Sequence, residues 1–278
     1  MTERAPVILK IGGELLADAT RRHRTATAIR RLAAAGPLVV VHGGGREVDA
    51  ALATHGIEKQ AIDGLRITDA STLEVVVRML AGQVNTRLVA AVRHLNVAAV
   101  GLTAADTGVA VIHRAAPYVA ANGRVVDLGF VGEPTGQDRP ALLDTLYRNG
   151  FVPLVASIGV DNGQLLNVNA DTLAGYLAGR LGATRLLIAG GTAGVLDSDG
   201  STIPTVDDTL LQALITDGRA NAGMVAKLMA CVEARRAGIN RVDIVDGTTG
   251  TDFDKNAGTQ IVASEFNNTT AQRHPQAN

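Results

Sequence analysis

Short runs of β-branched and aliphatic residues recur along this chain: Val7 to Ile11, Leu38 to Val41, Ala98 to Leu102, Val152 to Ile158, Arg185 to Ala189 and Arg241 to Val245. Glycine-rich turns and longer Ala-, Leu- and Arg-rich segments follow them, and strand alternating with helix specifies a parallel sheet. The runs are apolar throughout instead of alternating, so both faces of the sheet must be covered by helices in an α/β sandwich. Ligands then belong at the strand C-termini, where loops and helix N-termini converge.

Helices are expected over Ala26 to Ala35, Glu47 to Thr54, Ser71 to Leu95, Pro140 to Asn149, Asp171 to Leu181, Asp207 to Asp217 and Met224 to Ala237. Alternation around Asn122-Gly123, between Val109 and Val126, predicts a hairpin laid over the sheet. Residues 1–263 read as a single domain, and from Ser264 onward the loss of apolar content predicts a disordered tail.

A chain of 278 residues with 46% hydrophobic content can bury a sizeable core. Its 26 basic and 27 acidic residues leave a formal charge of −1, too little field to hold nucleic acid or an anionic bilayer. The single cysteine, Cys231, excludes an intramolecular disulfide. With no Trp, three Tyr and four Phe, base-stacking platforms are disfavoured. The N-terminus lacks the apolar stretch of a secretory signal, and the tract Val97 to Ile112 is too short and too interrupted to span a bilayer. A cytoplasmic protein without a membrane partner is expected.

Five motifs hold residues suited to chemistry. Lys10-Ile11-Gly12-Gly13 closes the first strand; it reads either as a plain turn or as an anion cradle, with unobstructed amides beside a formal positive charge. His42-Gly43-Gly44-Gly45 closes the second, and three glycines before a helix favour close backbone approach to an anion. Neither the Walker loop nor the dinucleotide fingerprint is present. In Gly64-Leu65-Arg66-Ile67-Thr68-Asp69, Arg66 can clamp a carboxylate or pair with Asp69. Asn167-Val168-Asn169-Ala170-Asp171 ends one of the central strands and brings Asn167, Asn169 and Asp171 to one side, although Asp171 also suits a helix cap. In Gly223-Met224-Val225-Ala226-Lys227, a lysine in a first helical turn opposes the macrodipole, which favours a negative ligand.

Taken in order, these motifs resemble the amino acid kinase family, and within it the members that phosphorylate N-acetyl-L-glutamate. The resemblance covers residues 7–263 and implies an open, mainly parallel eight-stranded sheet between helices, in two lobes. The N-lobe, about residues 1–182, would hold the acyl amino acid, and the C-lobe, about 183–263, would hold ATP. Lys10 and Lys227 match the lysines that neutralise the transferring phosphoryl group, and Asp171 matches the carboxylate that holds them. Gly44, Gly45, Arg66, Asn167 and Asn169 match acetylglutamate contacts. Gly12, Gly13, the loop Gly191, Thr192, Ala193, Gly194, Val195 and Leu196, and the segment Arg219, Ala220 and Asn221 match nucleotide contacts. The resemblance further implies Mg²⁺ held through the ATP phosphates, no dedicated metal site, a homodimer and a place in arginine biosynthesis.

Departures from the family pattern concentrate in the C-lobe. Gly190-Gly191 replaces the usual Thr or Ser followed by Asp, which removes side-chain hydrogen bonds to the nucleotide and leaves backbone groups to read it. A kinase for a carrier-bound aminoadipate or glutamate is a second reading; Ile67 stands where such enzymes tend to carry an aromatic residue. A third is a ligand-binding member without catalysis. Lys10 lies too near the start for the leading helix of arginine-inhibited relatives, so feedback by arginine is not expected.

Overall fold

The computed structural model describes residues 4–120, 123–216 and 222–262. The chain opens with β1 (Val7–Ile11), a 3-10 turn (Gly13–Leu15), α1 (Ala19–Ala35), β2 (Leu38–His42) and α2 (Gly45–Thr54). A hairpin of β3 (Ala61–Ile62) and β4 (Leu65–Arg66) leads into one continuous helical run: α3 (Ala70–Val77), a π-helical stretch (Arg78–Val84) and α4 (Asn85–His94). Next come β5 (Ala99–Thr103), β6 (Val111–Arg114), β7 (Tyr118–Val119), β8 (Val125–Val126), β9 (Val131–Thr135) and α5 (Ala141–Arg148). The chain continues through β10 (Val152–Ala156), β11 (Ile158–Asp161), β12 (Gln164–Val168), α6 (Ala170–Leu181), β13 (Arg185–Gly190) and β14 (Thr205–Asp207). It closes with α7 (Asp208–Thr216), α8 (Ala222–Arg236), β15 (Val242–Asp246) and β16 (Gly258–Val262).

The central sheet has eight strands in the order β14-β16-β15-β13-β1-β2-β10-β5. Every pairing is parallel except β15 with β16. This is the α/β architecture expected, and the continuous apolar runs are explained by cores on both faces. On one face Ile8, Val39, Val41, Val155 and Ile188 pack with α6 and α8. On the other, Leu9, Ile11, Val40, Leu154 and Leu187 pack with α1 and α4. Strand alternation therefore turns Lys10, like Ile8, toward the α6–α8 layer.

Four expectations need correction. The run Val152 to Ile158 is two strands: β10 ends at Ala156, and after Ser157 the chain enters a second, four-stranded sheet, β11-β12-β9-β6. The segment Leu166 to Asp171 ends a strand of that second sheet, where β12 pairs antiparallel with β11, instead of a central strand. Around Gly123 only β7 and β8 form the hairpin, whereas β6 pairs with β9; Asn122 lies outside the described residues. Helix α1 begins at Ala19, seven residues before the apolar periodicity shows it, because the Asp18 side chain caps it by accepting from the Arg21 amide. The expected tail also lies outside the described residues.

The helical run Ala70–His94 is long and apolar enough, by length and composition, to cross a membrane. Its apolar side chains are spent within the protein: Val75, Val76 and Leu80 pack with α2, and Leu88 and Val92 pack on the central sheet. The π-helical stretch brings Leu80 and Val84 against Gly44, where a Cβ would stand 2.8 Å from the Leu80 side chain.

Helices α6 and α8 approach through small residues. A Cβ on Gly175 would stand 2.8 Å from the Ala230 carbonyl oxygen, and one on Gly179 would stand 2.8 Å from the Ala237 Cβ. Gly175→Ala must therefore push the two helices apart, and a loss of about 1–3 kcal/mol of unfolding free energy is expected in urea denaturation. An unchanged stability would show that the backbone yields there at no cost.

Candidate active site

The sheet's central strands bring two glycine loops together. Gly12 follows β1 and donates its amide to the Ala189 carbonyl, and Gly13 opens the 3-10 turn. A Cβ on Gly13 would lie 2.8 Å from Gly44 Cα, so the loops after β1 and β2 meet backbone to backbone, an approach open only to glycine. Gly44 is the N-cap of α2 and offers no side-chain cap, and Gly45 is its first residue. The first amides of that helix are thus left for a ligand.

Lys10 is 5% exposed and Asp171 is 7% exposed. The Lys10 Nζ stands 3.0 Å from Asp171 Oδ1. Lys227 lies on α8, in its second turn instead of the first turn expected, and donates from Nζ to the Gly223 carbonyl at 3.2 Å. Burial, and next the charge of Lys10, hold the Lys227 amine below the usual lysine value, against the pull of Asp171 and Glu14. Two lysines thus share a desolvated corner with a buried carboxylate. Cys231, one helical turn beyond Lys227, is fully buried, and burial pushes its thiol far up, which makes it inert.

Asn169, and not Asp171, is the N-cap of α6; its Oδ1 accepts from the amides of Asp171 and Thr172 at 2.8 and 3.1 Å. The cap fixes the first helical turn and with it the carboxylate of Asp171. Asn167, on β12, donates from Nδ2 to Thr68 Oγ1 at 3.1 Å, and Thr68 Oγ1 donates to the Arg66 carbonyl at 3.3 Å. The two motifs, 99 residues apart, form one hydrogen-bonded wall.

Arg66 pairs with Asp49, not with Asp69, which caps α3. Burial of Asp49 opposes its ionisation, but hydrogen bonds from Lys59 and Arg66 hold its carboxyl below the usual range. The Arg66 Nη1 is buried and has no hydrogen-bond partner. A cavity of about 280 Å³ collects these groups: Lys10, Gly12, Gly13, Gly44, Gly45, Arg66, Asn167, Asn169 and Asp171 all line it. His42 is fully buried behind the loop; burial lowers its basicity, which suits a loop support and not an acid or base.

The nucleotide loop is less open than its sequence implied. The Gly191 amide donates to Glu14 Oε1 at 2.7 Å. Val195 is 2% exposed, and its amide donates to Thr259 Oγ1 at 2.8 Å. Gly194 has φ +106° and no room for a side chain beside Thr259, whereas Leu196 is 44% exposed and bridges to Thr202. Thr192 and Ala193 join Gly191 to these positions. Arg219, Ala220 and Asn221 lie outside the described residues. Sequence reasoning missed Glu14 and Asp49. Glu14 directly follows the Lys10 motif and Asp49 sits in the first turns of the helix after the glycines, so proximity was the available signal.

Comparisons with known proteins bear on the family and the fold. The model of the amino acid kinase family matches residues 5–246. The acetylglutamate kinase of Agrobacterium fabrum is 38% identical over 271 residues, covering 94% of this chain and 92% of that protein. The acetylglutamate kinase of Acidiphilium cryptum is 39% identical over 250 residues, covering 87% of this chain and 83% of that protein. Among solved structures, smu.665 from Streptococcus mutans superposes with a TM-score of 0.78 at 26% identity over 95% of this chain and all of that one. The N-acetylglutamate synthase of Neisseria gonorrhoeae, complexed with coenzyme A and N-acetyl-glutamate, has a TM-score of 0.79 at 23% identity; 94% of this chain spans 60% of that one, and the likeness is one of fold. With the motifs, the eight-stranded sheet and these matches in agreement, the chain belongs to the amino acid kinase family.

Proposed function

We propose that this protein is an acetylglutamate kinase, which transfers the γ-phosphoryl group of ATP to the γ-carboxylate of N-acetyl-L-glutamate, giving ADP and an acyl phosphate for arginine biosynthesis. The observation that carries the reading is the Lys10–Asp171–Lys227 corner beside two glycine loops, in a chain 38% identical to an acetylglutamate kinase over 271 residues.

A side-chain carboxylate is already ionised at neutral pH, so the nucleophile needs no general base. Catalysis reduces to holding two anions in line and neutralising charge on the group in flight. Lys10 and Lys227 supply that charge, and Asp171 fixes where it stands. Gly44 and Gly45 offer backbone amides to the acyl amino acid, and the unpartnered Arg66 Nη1 offers a donor to its carboxylate. Asn167 and Asn169 complete that wall, Asn169 through its amide nitrogen because its oxygen is spent on the helix cap. Gly12, Gly13 and the loop from Gly191 to Leu196, with the segment from Arg219 to Asn221, take the nucleotide.

No cluster of three or more metal-ligating side chains occurs among the described residues. Mg²⁺ held through the nucleotide phosphates fits the site, because Glu14 and the buried Glu47 oxygens, which lack hydrogen-bond partners, bring negative charge beside the cradle. Held there with the nucleotide, it would offset part of the phosphate charge. The reading includes a homodimer, a cytoplasmic location and lobes dividing near residue 182; the net charge of −1 supports the absence of a nucleic-acid partner.

Steady-state ADP release over a panel of acyl amino acids tests the substrate, with turnover on N-acetyl-L-glutamate expected and turnover confined to another carboxylate contradicting it. Lys10→Ala and Lys227→Ala should each lower kcat by roughly 10² or more with little change in KM for acetylglutamate. Arg66→Ala should instead raise that KM by about 10- to 100-fold with kcat nearly kept, the value of a charged hydrogen bond; an unchanged KM would remove Arg66 from the carboxylate.

The pH profile follows from Lys227. Its charge is needed, and its pKa is held below the ordinary 10.5, so the ammonium is present at low pH and lost as pH rises through that lowered value. The alkaline limb of kcat/KM for ATP should therefore fall below pH 10.5, and Lys227→Arg, which cannot deprotonate in this range, should carry the limb upward. A limb unmoved by that substitution would assign it to another group.

A further inference from the structure

Glu14 occupies a place that the reaction assigns to an anion. Its Oε1 accepts from the Gly191 amide at 2.7 Å, although the two residues lie 177 positions apart and on different strand ends. The carboxylate folds back over Gly12, whose missing Cβ leaves it room. A Cβ on Gly190 would stand 3.2 Å from Glu14 Oε1 and 3.4 Å from Lys227 Cε, so the carboxylate lies between the ends of β1 and β13 on the side of the second lysine. Glu14 also lines the cavity that holds Lys10, Gly12, Gly13 and Asp171.

A carboxylate and a phosphate oxygen ask for the same donors. In this cradle a donor is therefore already committed to the protein's own anion. The charge balance changes as well, since Glu14 and Asp171 together offset Lys10 and Lys227. A second carboxylate stands close by: burial raises the Glu47 carboxyl above its usual range, aided by the charge of Glu14 and opposed by its own backbone amide and by Arg46 and Arg22. A cradle so arranged attracts a free polyphosphate weakly, because every added negative charge meets Glu14 at short range. A divalent cation on the phosphates cancels two of those charges and presents a positive centre to the same carboxylate.

We infer that Glu14 is a specificity-determining residue that makes the phosphate cradle select the metal-chelated nucleotide over the free polyanion, an inference that rests on the ATP reading of the site. Titration calorimetry of the full chain with ATP, in chelator and in excess Mg²⁺, reads it directly. Wild-type protein should bind the chelated form at least about tenfold more tightly than free ATP. Glu14→Gln, which keeps the size and the Gly191 hydrogen bond but removes the charge, should tighten free ATP by about tenfold and leave the Mg²⁺ form unchanged or weaker, since that form loses a carboxylate beside its cation. Glu14→Ser, which removes the group altogether, should behave the same way. Equal wild-type affinity for both forms, no gain for free ATP in either variant, or a weakening of both forms would each overturn the inference while leaving the ATP reading in place. Wild-type protein that binds neither form would overturn the ATP reading and this inference with it.

Discussion

A buried charge constellation governs this structure. Lys10 and Asp171 are drawn out of water and Lys227 largely so, and burying such groups costs more than one ion pair returns unless further partners are supplied. Asp171 satisfies Lys10 at 3.0 Å, but the second lysine keeps a depressed pKa and spends its hydrogen bond on a helix carbonyl. Asp171 and Glu14 offset the two lysines in charge, but the Lys227 amine has no carboxylate as a hydrogen-bond partner among the described residues. In the proposed reaction the transferring phosphoryl group would supply that partner, most strongly while it is in flight, and would turn a stability liability into transition-state binding.

Much of the fold serves to hold that corner. The strand alternation of β1 turns Lys10 to the α6–α8 face, the Asn169 cap fixes the start of α6, and the glycine contacts at Gly175 and Gly179 let α8 come close enough to deliver Lys227. On the other side, the π-helical stretch packs Leu80 and Val84 on Gly44 and so sets the second glycine loop against the first. The wall proposed for the acyl amino acid is built separately, by the second sheet and the small hairpin, through the Asn167–Thr68–Arg66 chain. On the proposed function, the two substrates would be positioned by different packing units that meet at Lys10.

The central sheet was legible in the sequence because it leaves a local signature, whereas the grouping of Lys10, Asp171 and Lys227 came from the family resemblance. Continuous apolar runs mark buried parallel strands, while a lysine before two glycines reads locally as a turn as readily as an anion cradle. The second sheet was not legible. Val131–Thr135 carries a glycine and a proline, Gln164–Val168 is capped by polar residues, and their pairing is mostly set by tertiary register. Partners separated along the chain were hidden for the same reason: Arg66 finds Asp49 and Gly191 finds Glu14 only once the strands are side by side. The expectation that Gly190-Gly191 leaves its backbone open thus holds for the local sequence and fails for the folded loop, where Glu14 takes the Gly191 amide.

The central claim is that the two lysines drive phosphoryl transfer onto a carboxylate, with no covalent enzyme intermediate and no activated water. Trapping with hydroxylamine in a single turnover tests this most directly, since an acyl phosphate yields a hydroxamate. Wild-type protein should give hydroxamate that requires both ATP and N-acetyl-L-glutamate and matches the ADP released one for one. ADP released without hydroxamate would mean that water, and not the carboxylate, receives the phosphoryl group, and would contradict the account.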